Sequence, residues 1–167
     1  LLVIGNKESQ QKAVQRLGLS PEAYCDSRTQ DVSRWIWDHT DGQGAEVLFE
    51  CVGKKETYAL SVDHTAPAGH VVLVGNPSSD MALPKPMYWK ILRNQLRVTG
   101  TWNSAFLQEA EDDWHYVLDR LSDKKIAPAD LITHQLPLSE LECGFRIMRD
   151  KTEDYVKIMA IDEKMHT

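Results

Sequence analysis

Short apolar runs alternate with amphipathic stretches along the chain, at a spacing that fits strands joined by helices. Leu1-Leu2-Val3-Ile4 reads as a buried strand, and beyond Gly5-Asn6-Lys7-Glu8 the stretch Ser9–Leu17 reads as a helix closed by Gly18. Past the Ser20-Pro21 turn, Ala23–Asp26 fits a short strand. Asp31–His39 then sets Val32, Trp35 and Ile36 at i, i+3 and i+4, on one helix face. Gly42 and Gly44 precede a strand over Ala45–Cys51, which ends at Gly53 and leads into a helix over Lys55–Asp63. Pro67-Ala68-Gly69 is expected to break the chain before His70–Val74, the most nearly continuous apolar run, as in a strand covered on both faces. A helix over Met87–Asn94 and a strand over Leu96–Gly100 complete the series.

Parallel strands cannot be joined by tight hairpins, so crossover helices of this length predict an α/β fold with a doubly wound parallel sheet. After Gly100 the texture changes. Glu109–Leu121 reads as an acidic-then-apolar helix, Ile132–Leu138 as a strand, Ser139–Met148 as a helix and Tyr155–Ile161 as a last strand. This predicts a second lobe over 101–167 after a first domain over 1–100. Ser139 and Glu142 have the spacing of a capping box.

Composition narrows the function classes. Apolar residues at 42% and charged ones at 26%, with both signs mixed, belong to a globular chain. No apolar run approaches the roughly 20 residues of a membrane-crossing helix. A net charge of -6 gives no basic surface for nucleic acid. The 3 cysteines stand far apart, so neither a disulfide framework nor a cysteine zinc knuckle is indicated, and a reducing compartment is expected. Leu1 opens the chain in an apolar run without Met or signal character, so the chain is expected to begin in mid-fold.

In doubly wound sheets ligands collect at the carboxyl ends of the strands. Those ends here are Gly5-Asn6-Lys7, Asp26-Ser27, Cys51-Val52-Gly53, Val74-Gly75-Asn76 and Gly100-Thr101-Trp102, each with Gly, a small polar residue or both. One glycine after a strand is adequately explained as a turn; the same character at several strand ends points to a nucleotide crevice. No GxGxxG is present, so spacing alone leaves the nucleotide open.

Asp41 to Gly53, reading D-G-Q-G-A-E-V-L-F-E-C-V-G, resembles the D-G-x-G-A-[DE]-V-x-[IFL]-E-x-x-G segment of medium-chain, zinc-type alcohol and polyol dehydrogenases. Pro67 to Gly75 resembles their P-x-G-x-V-V-x-V-G strand, and Ser139–Met148 with Tyr155-Val156-Lys157-Ile158 resembles their closing helix and strand. Tyr88 to Ser104 is most similar to galactitol-1-phosphate 5-dehydrogenases and the neighbouring sorbitol or iditol dehydrogenases, with threonine dehydrogenase-like relatives sharing much of it.

The resemblance implies a Rossmann-type domain lacking its first strand, followed by the carboxyl-terminal part of the catalytic lobe. It implies hydride transfer between NAD or NADP and a polyol or sugar-alcohol phosphate in a cytoplasmic homo-oligomer, dimer or tetramer, with Asp80–Pro84 and Pro86 in the stretch where relatives pair. Val52 and Gly53 would line the adenosine side, Val74, Gly75 and Asn76 the nicotinamide end, and Gly100, Thr101 and Trp102 the carboxamide. Lys157 would approach the pyrophosphate, or else is a solvated edge charge. NAD-choosing members carry an acidic residue where Gly5 stands; with Asn6 and Lys7 following, NADP is expected to be tolerated or attracted.

The first strand with its GxGxxG turn, the zinc ligands and the proton relay are expected upstream of Leu1, leaving no catalytic or metal-binding residue in this chain. His39, His64, His70, His115, His134 and His166 show no ligand spacing and read as surface or helix-end residues. The missing strand would lie between those of Leu1 and Ala45. A non-catalytic α/β nucleotide-binding or interaction module and a methyltransferase are the competing classes; binding of NADH, NADPH or S-adenosylmethionine separates them.

Overall fold

The computed structural model describes residues 1–104 and 112–162. Every strand pair in it is parallel. Three separate sheets form, and the chain divides into two compact units. Among the described residues, 1–30 with 112–162 make one unit and 31–104 the other. Among the described residues the first two strands pair only with each other and have no ladder to the next three.

In the first unit, β1 (Val3–Gly5) pairs with β2 (Tyr24–Asp26), joined by helix α1 (Glu8–Arg16). Ala13 of the helix and Tyr24 and Cys25 of the strand are buried. Helix α5 (Asp113–Ser122) is capped by Asp112, whose carboxylate accepts from the His115 amide at 2.9 Å. The part of its predicted span from Glu109 to Glu111 lies outside the described residues. β6 (Ile132–Pro137) and β7 (Lys157–Ile161) pair around α6 (Leu141–Asp150). A Cβ at Gly144 would sit 3.1 Å from Ile158 and 3.2 Å from Leu136, so its absence lets α6 lie close on that sheet. The Ser139 capping box does not form. Leu138–Glu140 instead makes a 3₁₀ turn, the helix starts one residue later than that turn with no side-chain cap, and Glu142 pairs with Arg146 at 2.7 Å.

In the second unit, α2 (Val32–His39) is capped by Asp31, which accepts from the Arg34 amide at 3.1 Å, and it buries Trp35 and Ile36. β3 (Ala45–Glu50), β4 (Thr65–Leu73) and β5 (Arg97–Gly100) follow in sheet order, with α3 (Lys55–His64) and α4 (Lys85–Arg93) as crossovers. Val62 of α3, Met87 of α4 and Leu96 form a core cluster with Tyr58, Ala59 and Ile91. β4 begins at Thr65 and runs through Pro67 rather than after it. Thr65 faces Ala45 and His70 faces Val47, so the extra β4 residues bulge, with Ala68 at φ +61° and its amide donating to Asn94 O at 2.7 Å. A bulge is where a strand accepts a proline, which lacks the ladder donor. The sheet is not covered equally on its two faces: Val71 is fully buried, while Val47 and Phe49 of β3 are exposed.

Candidate functional site

The register of the second unit sets three strand ends level. Glu50 faces Leu73 and Leu73 faces Gly100, so the segments after β3, β4 and β5 leave the sheet along one edge. The amides of Val74 and Gly75 both donate to Glu50 O, at 2.8 and 2.9 Å, and the Ser78 amide donates to Gly53 O at 3.1 Å. The Thr101 amide continues the β5 ladder onto Leu73 O at 3.0 Å.

Glycine is required where these segments cross. Gly53 has φ +78°, and a Cβ there would overlap the Asn76 carbonyl; a Cβ on Gly75 would overlap the Gly53 amide nitrogen and lie 2.6 Å from that of Val52. The two glycines thus answer to each other. Gly100 differs, since a Cβ there would meet nothing within 4 Å.

Glu50 holds the crossing together. It is 3% exposed. Its carboxylate accepts from the Val52 amide at 2.9 Å, from the Gly53 amide at 2.9 and 3.1 Å, and from the Thr57 hydroxyl at 2.6 Å. A buried carboxylate is tolerated when donors of this kind surround it. Sequence reading gave Glu50 no role; the signal was an acidic residue closing an apolar strand ahead of Cys51-Val52-Gly53. Burial, followed by the Glu50 charge, pushes the neighbouring Cys51 thiol upward.

Around this rigid turn the rim is apolar and open. Val52, Val74 and Trp102 are exposed, Trp102 at 77%. Asn76 and Thr101 are exposed beside them. Large apolar side chains held on a locked backbone at strand ends suit the flat faces of a nucleotide. The glycine lock, the bare face at Gly100 and the apolar rim fit NAD or NADP.

The other sequence-predicted residues lie in the first unit. Gly5 ends β1 opposite Asp26. The Asn6 amide donates to Gln10 Oε1 at 2.9 Å, and Lys7 Nζ lies 3.0 Å from Asp154 Oδ1. Asp26 is engaged by Arg28 through Nη2–Oδ2 at 2.6 Å and Nε–Oδ1 at 2.9 Å, which holds its carboxyl at about 2. Lys157 is exposed at the start of β7, its carbonyl accepting from Thr133 Oγ1 at 3.1 Å.

Among the described residues no group of His, Cys, Asp and Glu is arranged to hold a metal ion, so they offer zinc no fitting site. His39 and His64 end helices, their Nδ1 atoms 2.8 Å from the carbonyls of Trp35 and Leu60; His64 is buried rather than at the surface. His166 lies outside the described residues. No described helix is long and apolar enough to cross a membrane.

The sequence profile of the zinc-binding dehydrogenases matches residues 2–123. The chain belongs to the zinc-binding dehydrogenase family, with the α/β, Rossmann-type architecture of that family. The sorbitol dehydrogenase of Halalkalibacterium halodurans is 24% identical over 161 residues, 95% of this chain and 44% of the relative. The galactitol 1-phosphate 5-dehydrogenase of Escherichia coli K12 is 28% identical over 90 residues, 54% of this chain and 26% of that protein. A solved structure from Sinorhizobium meliloti 1021, assigned to the zinc-binding dehydrogenases and bound to NADP, superposes with a TM-score of 0.77 at 22% identity, covering 95% of this chain and 44% of that one. The chain spans less than half the length of the curated relatives it matches.

Proposed function

We propose that the whole protein carrying this chain transfers hydride between NAD or NADP and a polyol or sugar-alcohol phosphate of the galactitol 1-phosphate type. The observation that carries this reading is the Gly53–Gly75 lock with Val52, Val74 and Trp102 bare around it. The sorbitol and galactitol-phosphate enzymes among the relatives support the substrate class. In this reading residues 1–100 belong to the cofactor-binding lobe and 101–167 to the catalytic lobe. Val52, Gly53, Val74, Gly75, Asn76, Gly100, Thr101 and Trp102 line the cofactor, and Gly5, Asn6, Lys7 and Lys157 serve its adenosine and phosphate parts. A bound nicotinamide supplies the hydride acceptor. The task of this chain is to fix that ring and keep water from it, with Val74 presenting apolar surface at the nicotinamide end and Val52, on a turn that Glu50 hydrogen-bonds, at the adenosine side.

Catalysis is assigned to the whole protein, cytoplasmic and homo-oligomeric, in which zinc is expected to be held by residues outside this chain. The chain alone is inactive. The test follows absorbance at 340 nm with the whole protein, NAD or NADP, and sorbitol or galactitol 1-phosphate. Polyol-dependent reduction by the whole protein, with none from the 167-residue chain, is the expected result. Failure of the whole protein to bind either nucleotide would favour the alternative, a non-catalytic interaction module.

A further inference from the structure

Strands that bind the adenosine end of NAD ordinarily finish in an acidic residue, which accepts hydrogen bonds from the ribose hydroxyls. β1 cannot do so. A Cβ on Gly5 would overlap the Tyr24 hydroxyl and lie 2.6 Å from Gln10 Oε1 and 2.9 Å from Tyr24 Cε2. Tyr24 has no freedom to withdraw: it is 4% exposed, its hydroxyl donates to Lys7 O at 2.9 Å, and the Lys7 amide donates back to it at 3.3 Å. The strand end is therefore closed to any carboxylate of its own.

Another carboxylate stands beside it. Asp154, in the segment between α6 and β7, places Oδ1 3.0 Å from Lys7 Nζ, two residues past Gly5. Its side chain is 61% exposed and that of Lys7 42%, so both present their polar ends to solvent. The hydrogen bond from Lys7, and then the lysine charge, hold the Asp154 carboxyl below its ordinary range, so it is ionised at neutral pH. The remaining cation of this strand-end rim, Arg28, is occupied by Asp26.

We propose that Asp154 and Lys7 together set the choice between NAD and NADP, with Asp154 serving as the carboxylate that β1 cannot carry. The inference rests on the cofactor reading above. Asp154 offers acceptor oxygens to free ribose hydroxyls and repels a 2′-phosphate, while Lys7 attracts that phosphate. Because the two charges compensate each other, the unmodified protein discriminates weakly and each partner restrains the other. Removal of either one uncovers the preference of the one left.

The experiment titrates NADH and NADPH into the whole protein by calorimetry and compares the ratio of dissociation constants, NADPH over NADH, in the unmodified protein, Asp154→Asn and Lys7→Met. Asp154→Asn is expected to lower the ratio about fivefold and Lys7→Met to raise it by a similar factor, the scale of a partly exposed charge acting on a doubly charged group. Both side chains are exposed, and thermal melting of each variant confirms that folding is retained. Binding of both nucleotides with ratios that move less than twofold, or in the same direction, overturns the inference and leaves the cofactor reading standing. Absence of binding to the unmodified protein overturns both.

Discussion

Glu50→Ala takes one buried carboxylate out of the turn and leaves three donors behind: the amides of Val52 and Gly53 and the hydroxyl of Thr57. The Gly53 amide is buried and that of Val52 partly so, and each donor left without a partner costs about 1 to 3 kcal/mol. Thr57 sits near the surface and recovers a water, so the loss is about 2 to 6 kcal/mol from the two amides. Glu50→Gln keeps one acceptor oxygen. It loses the charge and sets an NH2 group against the remaining donors, at roughly half the cost of alanine. Amide hydrogen exchange at Val52 and Gly53 reads this locally, because opening of the turn exposes those protons. A loss of about 3 kcal/mol accelerates exchange there by roughly a hundredfold. Affinity for NADH falls in the same order, alanine below glutamine below the unmodified protein. Exchange at both amides unchanged within threefold in Glu50→Ala would refute the assignment of Glu50 as the residue that fixes the turn.

Gly53→Ala forces a left-handed backbone on a side chain that overlaps the Asn76 carbonyl, so stability is expected to fall by about 2 to 5 kcal/mol, read as a lower melting temperature with weakened nucleotide binding. Trp102 is exposed, so Trp102→Ala is expected to leave urea stability within about 0.5 kcal/mol while raising the dissociation constant for NADH about tenfold; an unchanged constant removes Trp102 from the site. Asp26 titrates at about 2 in the folded protein against 3.8 ordinarily, because Arg28 hydrogen-bonds and faces it. Its folded pKa is depressed, so its contribution is complete above 3.8 and disappears as pH falls towards about 2. Arg28→Ala is expected to make acid unfolding set in at higher pH, as measured by circular dichroism.

The alternation of apolar runs and helical spacing located each described strand, but not its burial: Leu1 and Ile4, in the run read as a buried strand, are exposed, as are Val47 and Phe49 of β3. Trp35 and Ile36 are buried on the face that their spacing indicated. Features that depend on chain meeting chain were hidden. Pro67 signals a break, yet a bulge that sends the Ala68 amide to Asn94 keeps the strand going. Ser139 and Glu142 have capping-box spacing, but the 3₁₀ turn after Pro137 takes Ser139 out of the cap position. The strand-end glycines were read as room for a ligand. For Gly53 and Gly75 the close neighbour is each other's loop, whereas a Cβ at Gly100 would meet nothing within 4 Å and Val52, Val74 and Trp102 are exposed. Glu50 left only the signal of an acidic residue closing an apolar strand, because its donors come from the turn it shapes, and Asp154 left none, being 147 residues from Lys7.

The most direct test is the crystal structure of the whole protein with NADH or NADPH bound. The dinucleotide is expected along the carboxyl ends of β3, β4 and β5, with Val52 and Gly53 on its adenosine side and Gly75 and Trp102 in van der Waals contact with its nicotinamide half. A nucleotide ordered on another surface, with Gly53, Gly75 and Gly100 facing only solvent, would contradict it.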